Sequence, residues 1–149
     1  MASSYSGGVS EQEGIPECPP HGEGDSKSTV LVIDDDPVIR DFRETAARYR
    51  LSALVEVHNR RELDAAIDAG ADLMGVNNRN LATFEVTLET SLALAAHMPA
   101  GALAVSESGI HDAADIVRLR AAGYQAFLVG EHLMKSGDPA AALRKLVAA

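Results

Sequence analysis

Residues 69–76 read AGADLMGV, and residues 122–130 read AGYQAFLVG. In both stretches a helical pattern stops at a glycine, a two-residue turn follows, and a short apolar run begins. An apolar run of this length, bounded by glycine and polar residues, is typical of a buried strand. The repeated step from helix to strand therefore indicates a βα fold, although it says nothing about function.

Five apolar runs of this kind alternate with helical patterns along the chain. We predict strands at residues 30–33, 53–57, 73–76, 103–105 and 126–129. Asn59 stands three residues before Glu62, as in a capping box, and Asp138 precedes Pro139 as at a helix start. This alternation predicts right-handed crossovers and a parallel sheet with helices on its faces.

The composition agrees with this fold class and excludes some partners. Hydrophobic residues make up 46% of the 149 residues and aromatic residues only 4%, so the core consists of small aliphatic side chains. The net charge of −9 opposes binding to nucleic acid or to anionic membranes. The single cysteine, Cys18, cannot form a disulfide within the chain, and a cytoplasmic location is expected.

The chain divides into a tail at residues 1–28 and a domain at residues 29–149. The tail has too few large apolar residues to offset the entropy of ordering, so it is predicted to be flexible. Its Cys18 and His21 are too few ligands for a metal site. No export signal is recognised, and no apolar run approaches the roughly 20 residues that cross a bilayer.

Polar residues follow the predicted strands, where ligands of parallel βα folds bind. Glu56 and His58 alternate onto one face at the end of the second strand. A glutamate there is either satisfied by a neighbouring arginine or exchanges a proton with a substrate. After the third strand come Asn77 and Arg79, and this arginine either holds a phosphate or carboxylate or forms a surface ion pair.

Two glycine turns follow the last two strands. Gly109, after Ser108, is expected to let backbone amides approach a ligand at the start of the next helix, and Gly130 with Glu131 repeats the arrangement. Exposed N–H groups and the helix dipole both favour an anion. Adjacent turns of this kind form the usual phosphate site of a (βα)8 barrel.

Four motifs together resemble the indole-3-glycerol phosphate synthase family in their order and spacing. They lie at residues 53–58, 75–85, 105–110 and 127–134, the last with His132 at a variable place. The family is a cofactor-free (βα)8 barrel of tryptophan biosynthesis. It converts 1-(2-carboxyphenylamino)-1-deoxyribulose 5-phosphate to indole-3-glycerol phosphate, losing carbon dioxide and water. Asn80 and Thr87 depart from the family pattern, which favours Asp at the first position and Asp or Asn at the second.

The resemblance, which covers residues 50–149, also implies roles for individual side chains. Those implied to be catalytic are Glu56, Asn77 and Glu107. Those implied to bind substrate are Arg79 and Ser108, and those implied to bind its phosphate are Gly109, Gly130 and Glu131.

The expected chemistry lacks a proton donor. A complete barrel takes roughly 200 to 250 residues, so the first βα units, which in the family carry the general-acid lysine, its glutamate partner and a second lysine, are not expected here. The lysines present are Lys27, Lys135 and Lys145, and none stands at the C-terminal end of a predicted strand. We therefore expect a fragment that is inactive alone, and the alternative is a phosphate-binding partial barrel without catalysis.

Residues 29–49 permit two interpretations. They resemble either the fourth βα unit of the family or the opening of a response-regulator receiver, whose acidic residues, here 34–36, hold Mg²⁺. Acidic residues followed by Pro37 also suit an ordinary helix start, which we favour. A receiver would further need an Asp where Asn77 stands and a Lys where Gly130 stands.

The predicted architecture is a five-stranded parallel α/β unit. It corresponds to the C-terminal half to five-eighths of a TIM (βα)8 barrel, with a flavodoxin-like closure as the alternative. Open sheet edges expose unpaired N–H and C=O groups. We therefore expect self-association, or binding to a complementary N-terminal half-barrel.

Overall fold

The computed structural model of the chain describes residues 30–33 and 39–148. Five strands lie in these residues: β1 (Val30–Ile33), β2 (Ser52–Val57), β3 (Leu73–Asn77), β4 (Leu103–Glu107) and β5 (Ala126–Leu128). Six helices lie there too: α1 (Ile39–Arg48), α2 (Arg60–Asp68), α3 (Glu89–Ala95), α4 (Ala113–Ala121), α5 (Glu131–Lys135) and α6 (Pro139–Val147). The predicted tail and the acidic residues 34–36 lie outside the described residues.

The strand order decides between the predicted architectures. The sheet runs β1-β2-β3-β4-β5, and each neighbouring pair is parallel. Right-handed crossovers that step in one direction place the connecting helices on one face, as in a (βα)8 barrel. Flavodoxin and receiver folds instead have the order 2-1-3-4-5. Because β1 lies at the edge, the flavodoxin-like closure and the receiver topology are wrong, and the partial barrel is confirmed.

The two faces of the sheet have different environments. One face packs against the helices in a core that includes Val55, Met74, Val76, Leu63 and Leu119, all buried. The register places Glu56 opposite Gly75 and Asn77 opposite Glu107, so these residues share the other face. In a closed barrel this other face would be the packed interior. Here the face is exposed only in part: Leu103 and Leu128 are 44% and 48% exposed, whereas Leu54 and Val105 on the same face are buried.

The boundaries of α2 follow the signals in the sequence, with one difference. The Asn59 side chain accepts from the Glu62 N–H at 3.1 Å, as expected of a cap. The Glu62 carboxylate, however, accepts from the backbone N–H of His58 at 2.7 Å, where a capping box would use that of Asn59. Gly70, at φ +76°, ends the helix in the left-handed conformation that glycine favours. The result is a direct link between the start of α2 and the end of β2.

Candidate active site

The three residues implied to be catalytic meet at the C-terminal edge of the sheet. The side-chain amide of Asn77 donates to Glu56 Oε1 at 2.7 Å. Glu107 stands opposite Asn77 in the register of β3 and β4. Its carboxylate lies over Gly75, where a Cβ would overlap it. The absence of a side chain at residue 75 thus gives the Glu107 carboxylate its place beside Glu56.

Glu107 has an unusual environment for a carboxylate. It is 5% exposed, and its Oε1 finds no hydrogen-bond partner among the described residues. Burial, reinforced by the negative charge of Glu56 and opposed by His58, raises the pKa of Glu107 from 4.5 to about 7. Glu107 can therefore give or take a proton near neutral pH, as a general acid or base must.

His58 connects the carboxylates to the start of α2. Its Nε2 lies 3.3 Å from Glu56 Oε1, although without the geometry of a hydrogen bond, and its Nδ1 lies 3.1 Å from Glu62 Oε2. The prediction that Glu56 and His58 share a face is confirmed by this distance. Glu56 therefore has a hydrogen bond from Asn77 and lies close to His58. The arginine partner that the sequence analysis considered is not among the contacts of Glu56 in the described structure.

Arg79 lies in the loop after β3 and reaches across to α5. Its backbone N–H donates to Asn77 Oδ1 at 2.9 Å, and its guanidinium pairs with Glu131. Lys135 also pairs with Glu131, at 2.5 Å. Hydrogen bonding and attraction from Lys135, followed by the charge of Arg79, lower the pKa of Glu131. The Glu131 carboxylate is therefore ionised at neutral pH and holds both cations.

The two predicted glycine turns line one cavity of about 240 Å³. Its lining includes Arg79, Ser108, Gly109, His111, Gly130, Glu131 and His132. Ser108 and Gly109 have φ of +65° and +75°, so two successive residues adopt the left-handed conformation. A Cβ at Gly109 would also lie 2.7 Å from Cγ1 of Val86. Glycine is thus required at residue 109 by conformation and by space.

The position of Gly109 differs from the prediction in one respect. We expected it at the start of a helix, but α4 is capped three residues later by Asp112, whose side chain accepts from the Asp115 N–H at 3.0 Å. Gly109 therefore lies in a loop that precedes the helix. Gly130 directly precedes the short helix α5, as predicted, and a Cβ there would meet open space.

A second cavity, of about 390 Å³, lies beside the first at the ends of β2 and β3. It is lined by polar residues that include His58, Glu62, Asn77, Asn80 and Thr90. Arg79 borders both cavities. The two cavities therefore meet at Arg79, and Asn77, which donates to Glu56, lines the second of them.

A buried polar network beneath the site was missed by the sequence analysis. Asn78 is 1% exposed, and its side-chain amide donates to Ser106 Oγ at 3.0 Å and to the carbonyl of Ser108 at 3.1 Å. Its Oδ1 accepts from the N–H of Ser91 at 3.0 Å. These bonds hold the loop after β4 in place. A serine in a short apolar strand was the available signal, since a buried hydroxyl needs a partner.

The two described lysines lie away from Glu56 and Glu107. Lys135 lies on α5 in its ion pair with Glu131, and Lys145 lies on α6. Neither is on the sheet face that carries Glu56 and Glu107. In residues 30–33 and 39–148 no group of three His, Cys, Asp or Glu residues is placed to hold a metal ion. No helix of that part combines the length and apolar character needed to cross a membrane.

The family model described as indole-3-glycerol phosphate synthase matches residues 28–146. The chain belongs to the indole-3-glycerol phosphate synthase family. An indole-3-glycerol phosphate synthase of Koribacter versatilis is 55% identical over 109 residues, which are 73% of this chain and 42% of the relative. One of Albidiferax ferrireducens is 45% identical over 83% of this chain and 47% of its own length. The chain thus spans about half the length of these curated relatives.

The fold of this family member is shared with a more distant solved structure. Thiamine phosphate pyrophosphorylase from Pyrococcus furiosus aligns with a TM-score of 0.62 and 20% identity, over 81% of this chain and 57% of that one. The family match begins at residue 28, so it includes residues 29–49. This favours the interpretation of that segment as a barrel unit over a receiver origin.

Proposed function

We propose that this chain is the C-terminal half of an active site for the ring closure that forms indole-3-glycerol phosphate. The observation that carries the proposal is the continuity between the two parts of the site. Glu56, Asn77 and Glu107 lie together at one edge of the sheet, and Arg79 links them to the cavity lined by Gly109 and Gly130. Both parts lie at the C-terminal ends of parallel strands, where barrel enzymes bind their substrates.

In this proposal each residue has a role that suits its side chain. Glu56 and Glu107 exchange protons with the substrate, and Asn77 orients Glu56 through its hydrogen bond. Arg79, which borders both cavities, and Ser108, in the turn with Gly109, contact the middle of the substrate.

The phosphate group takes the cavity end of the site. Backbone amides of Gly109, Gly130 and Glu131 receive it, because N–H groups in such turns favour anions. The Glu131 carboxylate is itself an anion that occupies Arg79, so only its backbone suits this role.

The protonation of the substrate carbonyl needs a lysine from the preceding βα units. Because neither described lysine lies on the catalytic face, the second candidate function is phosphate binding without turnover. This second function uses the same cavity as the first and differs only in that it needs no proton donor. We place either function in the cytoplasm, as expected from the single cysteine.

The exposed apolar residues on this face of the sheet would be buried by a partner in either case. Leu103 and Leu128 expose close to half of their surface on the face that a closed barrel would bury. Burial of apolar area yields about 25 cal/mol per Å², so we propose that the isolated chain self-associates through this face unless the complementary half-barrel covers it. Sedimentation velocity that finds a monomer at all concentrations would contradict this part of the proposal.

Supplying the missing units tests the function. The N-terminal βα units of the Koribacter versatilis relative, expressed as a separate polypeptide, are mixed with this chain, and product is measured by its indole fluorescence. We expect product from the mixture, with loss of it in Glu56→Gln and retention in Glu89→Gln, whose carboxylate is exposed on α3. Absence of product although the two polypeptides co-purify would contradict the proposed activity.

A further inference from the structure

Two histidine rings line the cavity of the glycine turns. His111 follows the left-handed turn of Ser108 and Gly109, and His132 lies on α5. Their rings are in edge-to-face contact, with centroids 5.8 Å apart and an angle of 72° between the planes. The predicted phosphate site contains no role for either ring, because the resemblance assigns the anion to backbone amides and places His132 at a variable position.

We propose that His111 and His132 are anion-binding residues of this cavity, and that their protonation tightens its hold on a phosphate ester. The inference rests on the proposed phosphate site and adds its side-chain ligands and its pH dependence. Histidine changes charge between pH 5 and 8, and a protonated ring offers two N–H donors. Two protonated rings in contact repel each other, and an anion in the cavity offsets that repulsion.

The other charged groups near the two rings do not cancel the effect of histidine protonation on anion binding. Arg79 and Lys135 are already paired with Glu131, whose lowered pKa keeps it ionised throughout the neutral range. Asp115 accepts from the backbone N–H of His111 at 2.9 Å. The remaining charged groups on this residue's own turn and on the helix packed against α5 are Asp112, Asp138, Arg144 and Lys145.

One further group near the cavity titrates in the same direction. Glu107 immediately precedes the Ser108 turn and has a pKa of about 7. Its protonation as the pH falls removes a negative charge, which also favours an anion. The effect of the histidines is therefore the difference between the chain and its histidine variants, measured over the same pH range.

Sulfate is the probe, because it remains a dianion from pH 6 to pH 8. Any change of its affinity over this range is therefore due to protonation of the protein. Calorimetric titrations compare the chain with His111→Asn, His132→Asn and the double variant. His97→Asn is the matched control, since His97 is an exposed histidine outside the cavity. A protonated ring adds a charge-assisted hydrogen bond that a neutral ring lacks, so we expect sulfate to bind about tenfold more tightly at pH 6 than at pH 8.

The outcomes distinguish a failure of this inference from a failure of the proposed phosphate site. We expect the double variant to lose most of the gain at pH 6, each single variant to lose part of it, and His97→Asn to retain it all. A double variant with the full gain would overturn the inference and leave the phosphate site standing. Absence of sulfate binding at both pH values in the unmodified chain would overturn both. Thermal unfolding of each variant checks that it is folded, and His132→Asn, on a short surface helix, provides the test if His111→Asn does not fold.

Discussion

The Glu107 carboxylate occupies the space over Gly75 that a Cβ at residue 75 would fill. Gly75 lies in the middle of β3, where glycine packs poorly and is conformationally costly. Its side-chain hydrogen leaves room for a carboxylate from the neighbouring strand to lie flat against the sheet. Burial, and after it the negative charge of Glu56, raises the pKa of Glu107 to about 7.

We expect Gly75→Ala to displace the Glu107 carboxylate from its place in the cluster. The displacement should lower the free energy of unfolding by about 1 to 3 kcal/mol, as overpacking does, and should move the Glu107 pKa down towards its ordinary value as the side chain becomes solvated. Urea unfolding and carboxyl NMR titration measure the two effects. Gly137→Ala is the control, because a Cβ there meets open space; equal effects of both substitutions would contradict the account.

Glu107 should make the chain less stable as the pH rises. The folded chain holds the Glu107 proton up to about pH 7, whereas the unfolded chain releases it near 4.5. Between these values the folded state binds more protons, so the free energy of unfolding falls with rising pH, by roughly 3 kcal/mol in total. Glu107→Gln cannot ionise and should lack this slope. Urea midpoints at pH 5, 6, 7 and 8 test it, and a slope unchanged in the variant would refute the assignment.

Glu56→Gln should lower the pKa of Glu107. The negative charge of Glu56 is one cause of the raised value, and removing it makes ionisation of Glu107 easier. Replacement of His58 by Gln should act in the opposite direction, since His58 lowers the Glu107 pKa. Carboxyl NMR titration measures both variants. Shifts of the same sign in the two variants would show that the cluster is not arranged as described.

We expect the side chain of Asn78 to stabilise the loop after β4. Asn78→Ala leaves buried partners unsatisfied, which costs about 1 to 3 kcal/mol for each group. A double-mutant cycle with Ser106→Ala isolates the bond between the two side chains. We expect a coupling energy of about 1 kcal/mol from urea unfolding. Additive effects of the two substitutions would mean that this hydrogen bond contributes nothing to stability.

Most of the fold could be predicted from the sequence because its signals are local. Each apolar run became a strand, and Asp138 caps α6 while Pro139 begins it, as expected. The partial barrel was predicted, but a flavodoxin-like sheet stayed open as an alternative, since strand order depends on the direction of each crossover. Helix α3 was not identified, because residues 81–88 before it form a loop of mixed polar and apolar residues.

The sequence predicted where the candidate site lies, but it did not predict which of the site residues contact each other. Alternation along the strand placed Glu56 and His58 on one face, and the glycines located the cavity. The contact of Glu107 with Gly75 and the pairing of Arg79 with Glu131 join residues more than 30 positions apart, so they required the three-dimensional register. The network around Asn78 also joins residues from separate elements, 13 to 30 positions apart, and it was missed although Ser106 offered a signal.

We also expect the purified chain alone to produce no indole-3-glycerol phosphate, since no described lysine lies on its catalytic face. A fluorimetric assay of ring closure checks this expectation. Turnover that Glu56→Gln abolishes would contradict it and would place the proton donor within this chain.

The most direct test of the central claim is an NMR titration of the ¹⁵N-labelled chain with inorganic phosphate. The account predicts that the backbone amides of Gly109 and Gly130 shift together with one dissociation constant, in the roughly millimolar range expected of half a site. The amide of Gly101, which lies outside that cavity, should stay unchanged. Shifts confined to one of the two turns, or their absence at both while other amides respond, would contradict the claim that the two turns form a single anion site.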